Sequence, residues 1–116
     1  MEIKDVLNHN DFILALCMFL DNFKQSNIKE SLIENEPTAK ASKEHKCILA
    51  AVAHKLSNEN NLNVPAWTMK KKYIMEYPIY SHNTTNIEYQ NYLKTVSPYE
   101  FSIRNIYIGE DAIKRV

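Results

Sequence analysis

Glycine is almost missing from this chain: of 116 residues, Gly109 alone is one. A phosphate-cradling loop and a dinucleotide-binding fingerprint both need several glycines, because backbone must approach the phosphate closely. Neither can be built here. Tight two-residue hairpins also favour glycine, which argues against an all-β meander. A nucleophile elbow of the G-x-S-x-G type is ruled out on the same ground. Arginine is nearly as scarce, with only Arg104 and Arg115. A helical bacterial RNase would carry an arginine a few residues before a histidine on one helix, and neither arginine stands there. The longest apolar run, Phe12 to Leu20, is closed by Asp11 and Asp21 and is too short to span a bilayer.

Metal-ligand spacing is absent as well. His9, His45, His54 and His82 include no i, i+4 pair, and Cys17 and Cys47 form no C-x-x-C. His45 and Cys47 are two residues apart, on different faces of a helix. No metal site, cofactor site or catalytic residue is therefore assigned. Both cysteines sit in apolar helical patterns and read as small buried hydrophobes. With no basic stretch leading into an apolar one at the N-terminus, the expected setting is cytoplasmic and reducing, with no membrane association.

What is present is helical. Hydrophobic residues make up 45% and charged residues 24%, enough for a single core. The fold expected is all-α: residues 1–116 as one compact bundle of five or six helices, two of them long, with one short extended segment near the C-terminus. Phe12, Ile13, Leu16, Cys17, Leu20 and Phe23 follow the i, i+3, i+4 rule, and Met18 and Phe19 widen that face, so this helix is expected at the centre. Asn27 and Glu30 suggest a capping box for Ile28 to Asn35, with Ile28 in its buried stripe. A third helix begins between Thr38 and Ser42 and ends in the Asn-rich run 57–61. Thr68 can cap a fourth over Met69 to Glu76, and Asn86 a fifth through Val96. Ser97-Pro98-Tyr99-Glu100 is the strongest local signal: Ser at the N-cap, Pro at the first turn, Glu closing a capping box. Ile106 to Ile108 is extended, and Glu110 to Arg115 is a last short helix.

Formal charge sums to zero, but unevenly. Residues 1–36 carry three lysines against seven carboxylates, net −4; residues 37–76 carry seven lysines against three, net +4. An acidic first part packing on a basic middle is the simplest reading, and a homodimer could use the same asymmetry. All seven tyrosines lie between Tyr73 and Tyr107. Tyrosine buries area while keeping a polar tip, which suits protein interfaces. The run Lys70, Lys71, Lys72 beside Tyr73, Tyr77 and Tyr80 is thus the candidate interaction surface. Phosphate pairing and base stacking by the same residues would make a nucleic-acid contact, which zero net charge disfavours. A third class is a small hydrolase or RNase assembled from scattered residues such as Glu44, His45 and His54.

Two segments carry a family resemblance: Leu49 to Thr68, LAAVAHKLSNENNLNVPAWT, and Ser97 to Ile108, SPYEFSIRNIYI. The chain resembles a family of small bacterial domains with an alanine-rich helix, a Pro-Ala-Trp corner and a Ser-Pro-x-x-Phe motif. These domains occur alone or behind helix-turn-helix domains, and some members resemble toxin–antitoxin-type regulators. The resemblance implies structural roles for Pro65, Ala66, Trp67, Ser97, Pro98, Phe101 and Arg104. The family's basic cluster after Ser-Pro-x-x-Phe is reduced here to Arg104, and no helix-turn-helix part is present. The function expected is a non-enzymatic protein-interaction module, possible antitoxin-like or regulatory roles included, with a protein partner of unknown identity.

Overall fold

The computed structural model describes residues 1–110, 112 and 113. Its organising element is the helix α3, Lys43–Glu59, rather than the first helix. Ser42 caps α3 through its Oγ, which accepts the His45 N–H at 3.1 Å. Cys47, Leu49, Ala50, Ala51, Val52, Ala53, His54, Leu56 and Ser57 are all buried, so nearly the whole circumference is covered. The alanines make this possible, because a surface of methyl groups lets neighbouring backbone come close. At its end the Asn60 N–H and side-chain amide both donate to the Leu56 carbonyl, and Asn61 turns left-handed at φ 55°. Asparagine fills the place a glycine would take.

The other elements wrap α3. A 3-10 turn over Ile3–Asn8 contributes Ile3 and Val6 to the core. Helix α1, Phe12–Gln25, is capped by Asp11 Oδ1, which accepts the Leu14 N–H at 3.1 Å. It buries Phe12, Ala15, Leu16, Phe19, Leu20 and Phe23 and leaves Ile13, Leu14 and Met18 in solvent. The expectation of a central first helix is thus corrected: its apolar band is wider than the face its neighbours cover. Helix α2, Lys29–Ile33, buries Leu32 and Ile33. The Asn27–Glu30 capping box does not form; Ser26 Oγ accepts the Ile28 N–H instead, and Ile28 is exposed.

After α3 the chain passes Pro65 into two 3-10 turns, Ala66–Met69 and Lys71–Tyr73, in place of the expected α-helix from Met69 to Glu76. Strand β1, Ile79–Tyr80, pairs in parallel with β2, Ile106–Tyr107. Parallel strands need a long crossover. Here helix α4, Ile87–Val96, and helix α5, Tyr99–Ser102, supply it. Asn86 Oδ1 caps α4 at 2.9 Å as the sequence predicts. The Ser97–Glu100 capping box is absent. Ser97 Oγ instead accepts the Ile108 N–H at 3.0 Å and donates to the Ile106 carbonyl at 3.3 Å. It closes the outer edge of β2, a longer-range task than capping. Glu100 accepts from Asn58 of α3 at 2.8 Å. Most of the final helix expected over Glu110 to Arg115 lies outside the described residues. The all-α expectation fits broadly, with two long helices and one small parallel ribbon.

The acidic first part and basic middle do meet, at Glu36. Its carboxylate holds Lys70 Nζ at 2.6 Å and Lys72 Nζ at 3.2 Å, and accepts the Tyr73 hydroxyl. These donors, Lys70 foremost, hold Glu36 at about 2, well below the usual carboxylate range. Burial pushes the Tyr73 phenol up, and Glu36 adds to that. Since the folded-state pKa is depressed, this stabilisation is complete above about pH 4.5 and is lost as pH falls toward 2. Urea midpoints measured from pH 5 to 3 are expected to fall, and Glu36→Gln to flatten that slope while costing about 1 kcal/mol at neutral pH.

Candidate functional site

The least expected feature of the interior is Arg104, only 2% exposed. It sits just after α5, followed by Asn105 in a left-handed conformation at φ 65°. Its side chain reaches α3, the Trp67 corner and α5. Nη1 donates to the Glu100 carbonyl at 2.6 Å and lies 3.1 Å from His54 Nδ1. Nη2 donates to the Thr68 carbonyl at 2.7 Å and contacts Met69 Sδ at 3.7 Å. Among the described residues these partners are two carbonyls, an imidazole and a thioether, with no carboxylate in ion-pair range. A guanidinium stays protonated even when burial opposes it, and burial does lower its pKa here.

The imidazole is fixed by this contact. Arg104 can only donate, so His54 Nδ1 must accept, which makes the ring neutral with its proton on Nε2. Burial lowers the His54 pKa, the Arg104 charge lowers it further, and Glu100 opposes weakly. Tyr99 meets the ring edge-on at 6.2 Å. Cys47, two turns before His54 on the same face of α3, has its thiol pushed up by burial. Among the described residues, none of Arg104, His54 and Thr68 lines the main cavities. The cluster is a structural junction.

Several of its members fall in the segments 49–68 and 97–108. The corner contributes Trp67, buried, whose Nε1 donates to the Ile33 carbonyl at 3.1 Å and whose ring meets Tyr73 edge-on. Thr68 supplies the carbonyl for Arg104. Pro65 is half-buried, and Ala66 is exposed. The second segment contributes buried Phe101, half-buried Pro98 and the Ser97 clasp. The Arg104 carbonyl also accepts the Met75 N–H at 3.0 Å, and the Asn105 carbonyl the Ile79 N–H at 3.0 Å. Arg104 thus ties α3, the corner, α5 and Met75 together, and Asn105 beside it holds β1.

The candidate interaction surface is divided. Lys70 and Lys72 hold Glu36, and Tyr73 is buried beneath them, which withdraws its ring from any partner. Lys71 is exposed. Tyr77 is 77% exposed. Tyr80 stacks on Tyr107 at 5.4 Å, with Lys94 of α4 over its ring. A basic face built from Lys70, Lys71, Lys72 and Arg104 is lost with the burial of Arg104. The scattered-residue enzyme reading fares similarly. His45 and His54 are nine residues apart on α3, about 13 Å along the axis and on opposite sides. His45 lies flat on Phe12 at 3.9 Å, and His9 and His82 are exposed.

Sequence reasoning missed the His54–Arg104 contact because fifty residues separate them. The available signal was a histidine inside the apolar stripe of α3 and a single arginine in an apolar segment.

Two outcomes follow from the junction. Arg104→Met should lower stability by about 2–4 kcal/mol in urea unfolding, because it leaves buried carbonyls unpaired. Arg104→Lys should recover little of that loss, since an ammonium lacks the planar fork that reaches both carbonyls. The folded state resists protonating His54, whereas the unfolded chain takes up that proton near 6.5. Stability is therefore complete above about pH 6.5 and falls below it. Thermal melts from pH 7.5 to 5.5 should show that decline, and His54→Asn, which keeps an acceptor and does not titrate, should remove it. No protein-family model, curated protein or solved structure matches the chain.

Proposed function

We propose that the chain is a non-enzymatic protein-binding module whose contact surface is the outer side of α4 together with the tyrosines of the ribbon beside it. The observation that supports this reading is the burial of α4. Of its ten residues only Leu93 is buried. Ile87 is 72% exposed and Tyr92 53% exposed, and Tyr89 stacks on Tyr92 at 6.1 Å. A ten-residue helix has little stability of its own in water, and in proteins most helical stability comes from packing. Here one buried leucine, an Asn86 cap and the contacts of α4 to β2 hold it. Stacked tyrosines and an isoleucine on such a helix offer rigid, amphipathic contact area with little entropy to lose.

An antitoxin-like or regulatory role, the one implied by the resemblance at 49–68 and 97–108, fits a module of this kind. Nucleic acid is the weaker reading: Arg104 is buried and Lys70 and Lys72 are occupied by Glu36.

The test is affinity capture from the native cell with tagged wild-type chain and with the Ile87→Asp/Tyr92→Ala double variant. Both positions are exposed, so far-UV circular dichroism should not change. A partner retained by wild type should be lost from the variant, with affinity reduced at least about 30-fold. Equal retention by both would overturn the surface assignment. Retention of DNA or RNA on the wild-type chain at about 0.15 M salt would favour the other reading.

A further inference from the structure

Two adjoining cavities lie along the seam between α1 and α3. The first, of about 200 Å³, has an apolar lining throughout among the described residues, with Ile13 and Cys17 from α1, Ile48 from α3, and Phe101, Ile106 and Ile108 from further along the chain. The second, of about 560 Å³, mixes Leu20, Phe23 and Leu56 with Lys24, Lys29, Lys55, Glu59 and Glu110. Leu20 and Ile113 line both, so the two share a wall. Both helices pass the pair in the same order: Ile13 and Ile48 at the apolar end, Lys24 and Lys55 at the charged end. From Phe12 to Lys24 the seam follows about 18 Å of α1.

We propose that the paired cavities bind one medium-chain fatty acid, its carboxylate at Lys29 and its alkyl chain laid over Leu20 into the apolar end beside Cys17 and Ile48. Length, apolarity and charge select this occupant. One acyl chain of a bilayer leaflet spans about 15 Å, half the hydrocarbon thickness, which matches the seam. The apolar end presents no charged, amide or hydroxyl side chain among the described residues, so a polar group placed there would go unpaired and the tail has to be hydrocarbon. At the other end three ammoniums face two carboxylates. Lys55 is taken by Glu59 at 2.8 Å, and Lys24 already has an interaction of its own. Lys29 is held differently. Its Nζ donates to the Ser26 carbonyl at 2.7 Å and to the Lys24 carbonyl at 3.4 Å, and lies 5.8 Å from the centre of the Phe23 ring. These contacts fix the ammonium beside the apolar lining without neutralising it, and no carboxylate of the described residues stands in ion-pair range of it. An ammonium has three donors; the two carbonyls use two, and the third serves a ligand carboxylate in a charge-assisted bond. A cationic amphiphile of the same length would meet that ammonium and be rejected.

The α4 surface assigned to a protein partner lines neither cavity, so Ile87→Asp/Tyr92→Ala should bind the fatty acid as wild type does, and the two readings stand or fall separately. Calorimetric titration of the full chain with dodecanoate should give one site per chain with a dissociation constant on the order of 10 μM. Octanoate, four methylenes shorter, should bind at least about 30-fold more weakly. Dodecyltrimethylammonium should not bind. Lys29→Gln should weaken dodecanoate about five-fold. Cys17→Phe, which fills the apolar end, should abolish binding with an unchanged circular dichroism spectrum. The wild-type chain gives a readout that does not depend on any variant folding: N-ethylmaleimide should react with half-buried Cys17, and saturating dodecanoate should slow that reaction several-fold. Cys47 is fully buried and does not contribute. Absence of dodecanoate binding by wild type, equal affinity for dodecyltrimethylammonium, or unchanged Cys17 reactivity at saturating dodecanoate would overturn the proposal.

Discussion

A positive charge buried among neutral acceptors is the constraint on which this fold depends. Arg104 cannot lose its proton, and it cannot return to water without dismantling the seam it fills. Its two bonded carbonyls come from α5 and from the Trp67 corner, and its imidazole partner from α3. Those three elements are far apart in sequence, and a single planar group satisfies all of them. Bonded to two carbonyls and an imidazole, with a thioether beside them, the guanidinium acts as a fixed knot. An apolar residue of equal size would leave the Thr68 and Glu100 carbonyls without partners, and a carboxylate would repel them.

The same economy recurs around the knot. Trp67 reaches back to the Ile33 carbonyl, so the corner is tied to α2 as well as α3. Ser97 gives its hydroxyl to both ends of the β2 edge and spares that short strand an open flank. Glu36 gathers Lys70, Lys72 and Tyr73, joining the acidic first part to the basic middle. With one glycine in the chain, sharp reversals fall to asparagine and histidine, at Asn61, His82, Asn83 and Asn105. The tightly held region is the interior around α3. Apolar residues remain uncovered on the outward sides of α1 and α4, among other places.

How far the sequence foretold this varies with the range of the interaction. Helices α1, α3 and α4 were legible from periodicity and caps, because Asp11, Ser42 and Asn86 each cap the turn that follows them. The extended segment at Ile106–Ile108 was legible too. The Ser97–Glu100 signature was misread, since the competition between a local cap and a distant strand edge is decided by tertiary contact. Residues 69–76 read as a helix from the Thr68 cap, yet Trp67 and Tyr73 are drawn to different partners in quick succession, and the stretch forms 3-10 turns instead. Sequence placed Lys70, Lys71, Lys72 and Tyr73 on one surface with Tyr77 and Tyr80. Glu36, more than thirty residues upstream, divides them. The Arg104–His54 contact spans fifty residues, and nothing local pairs the two.

The central claim is that Arg104 joins the long helical half and the tyrosine-rich half into one cooperative unit. Native-state hydrogen exchange tests it most directly, because amides open either with the whole molecule or with a smaller part of it. The Met75 N–H, bonded to the Arg104 carbonyl, and the Ile79 N–H, bonded to that of Asn105, should exchange with the same opening free energy as Val52 and Ala53 in α3. If those two amides exchange through a separate opening at markedly lower free energy while α3 stays protected, the halves unfold independently and the account is contradicted.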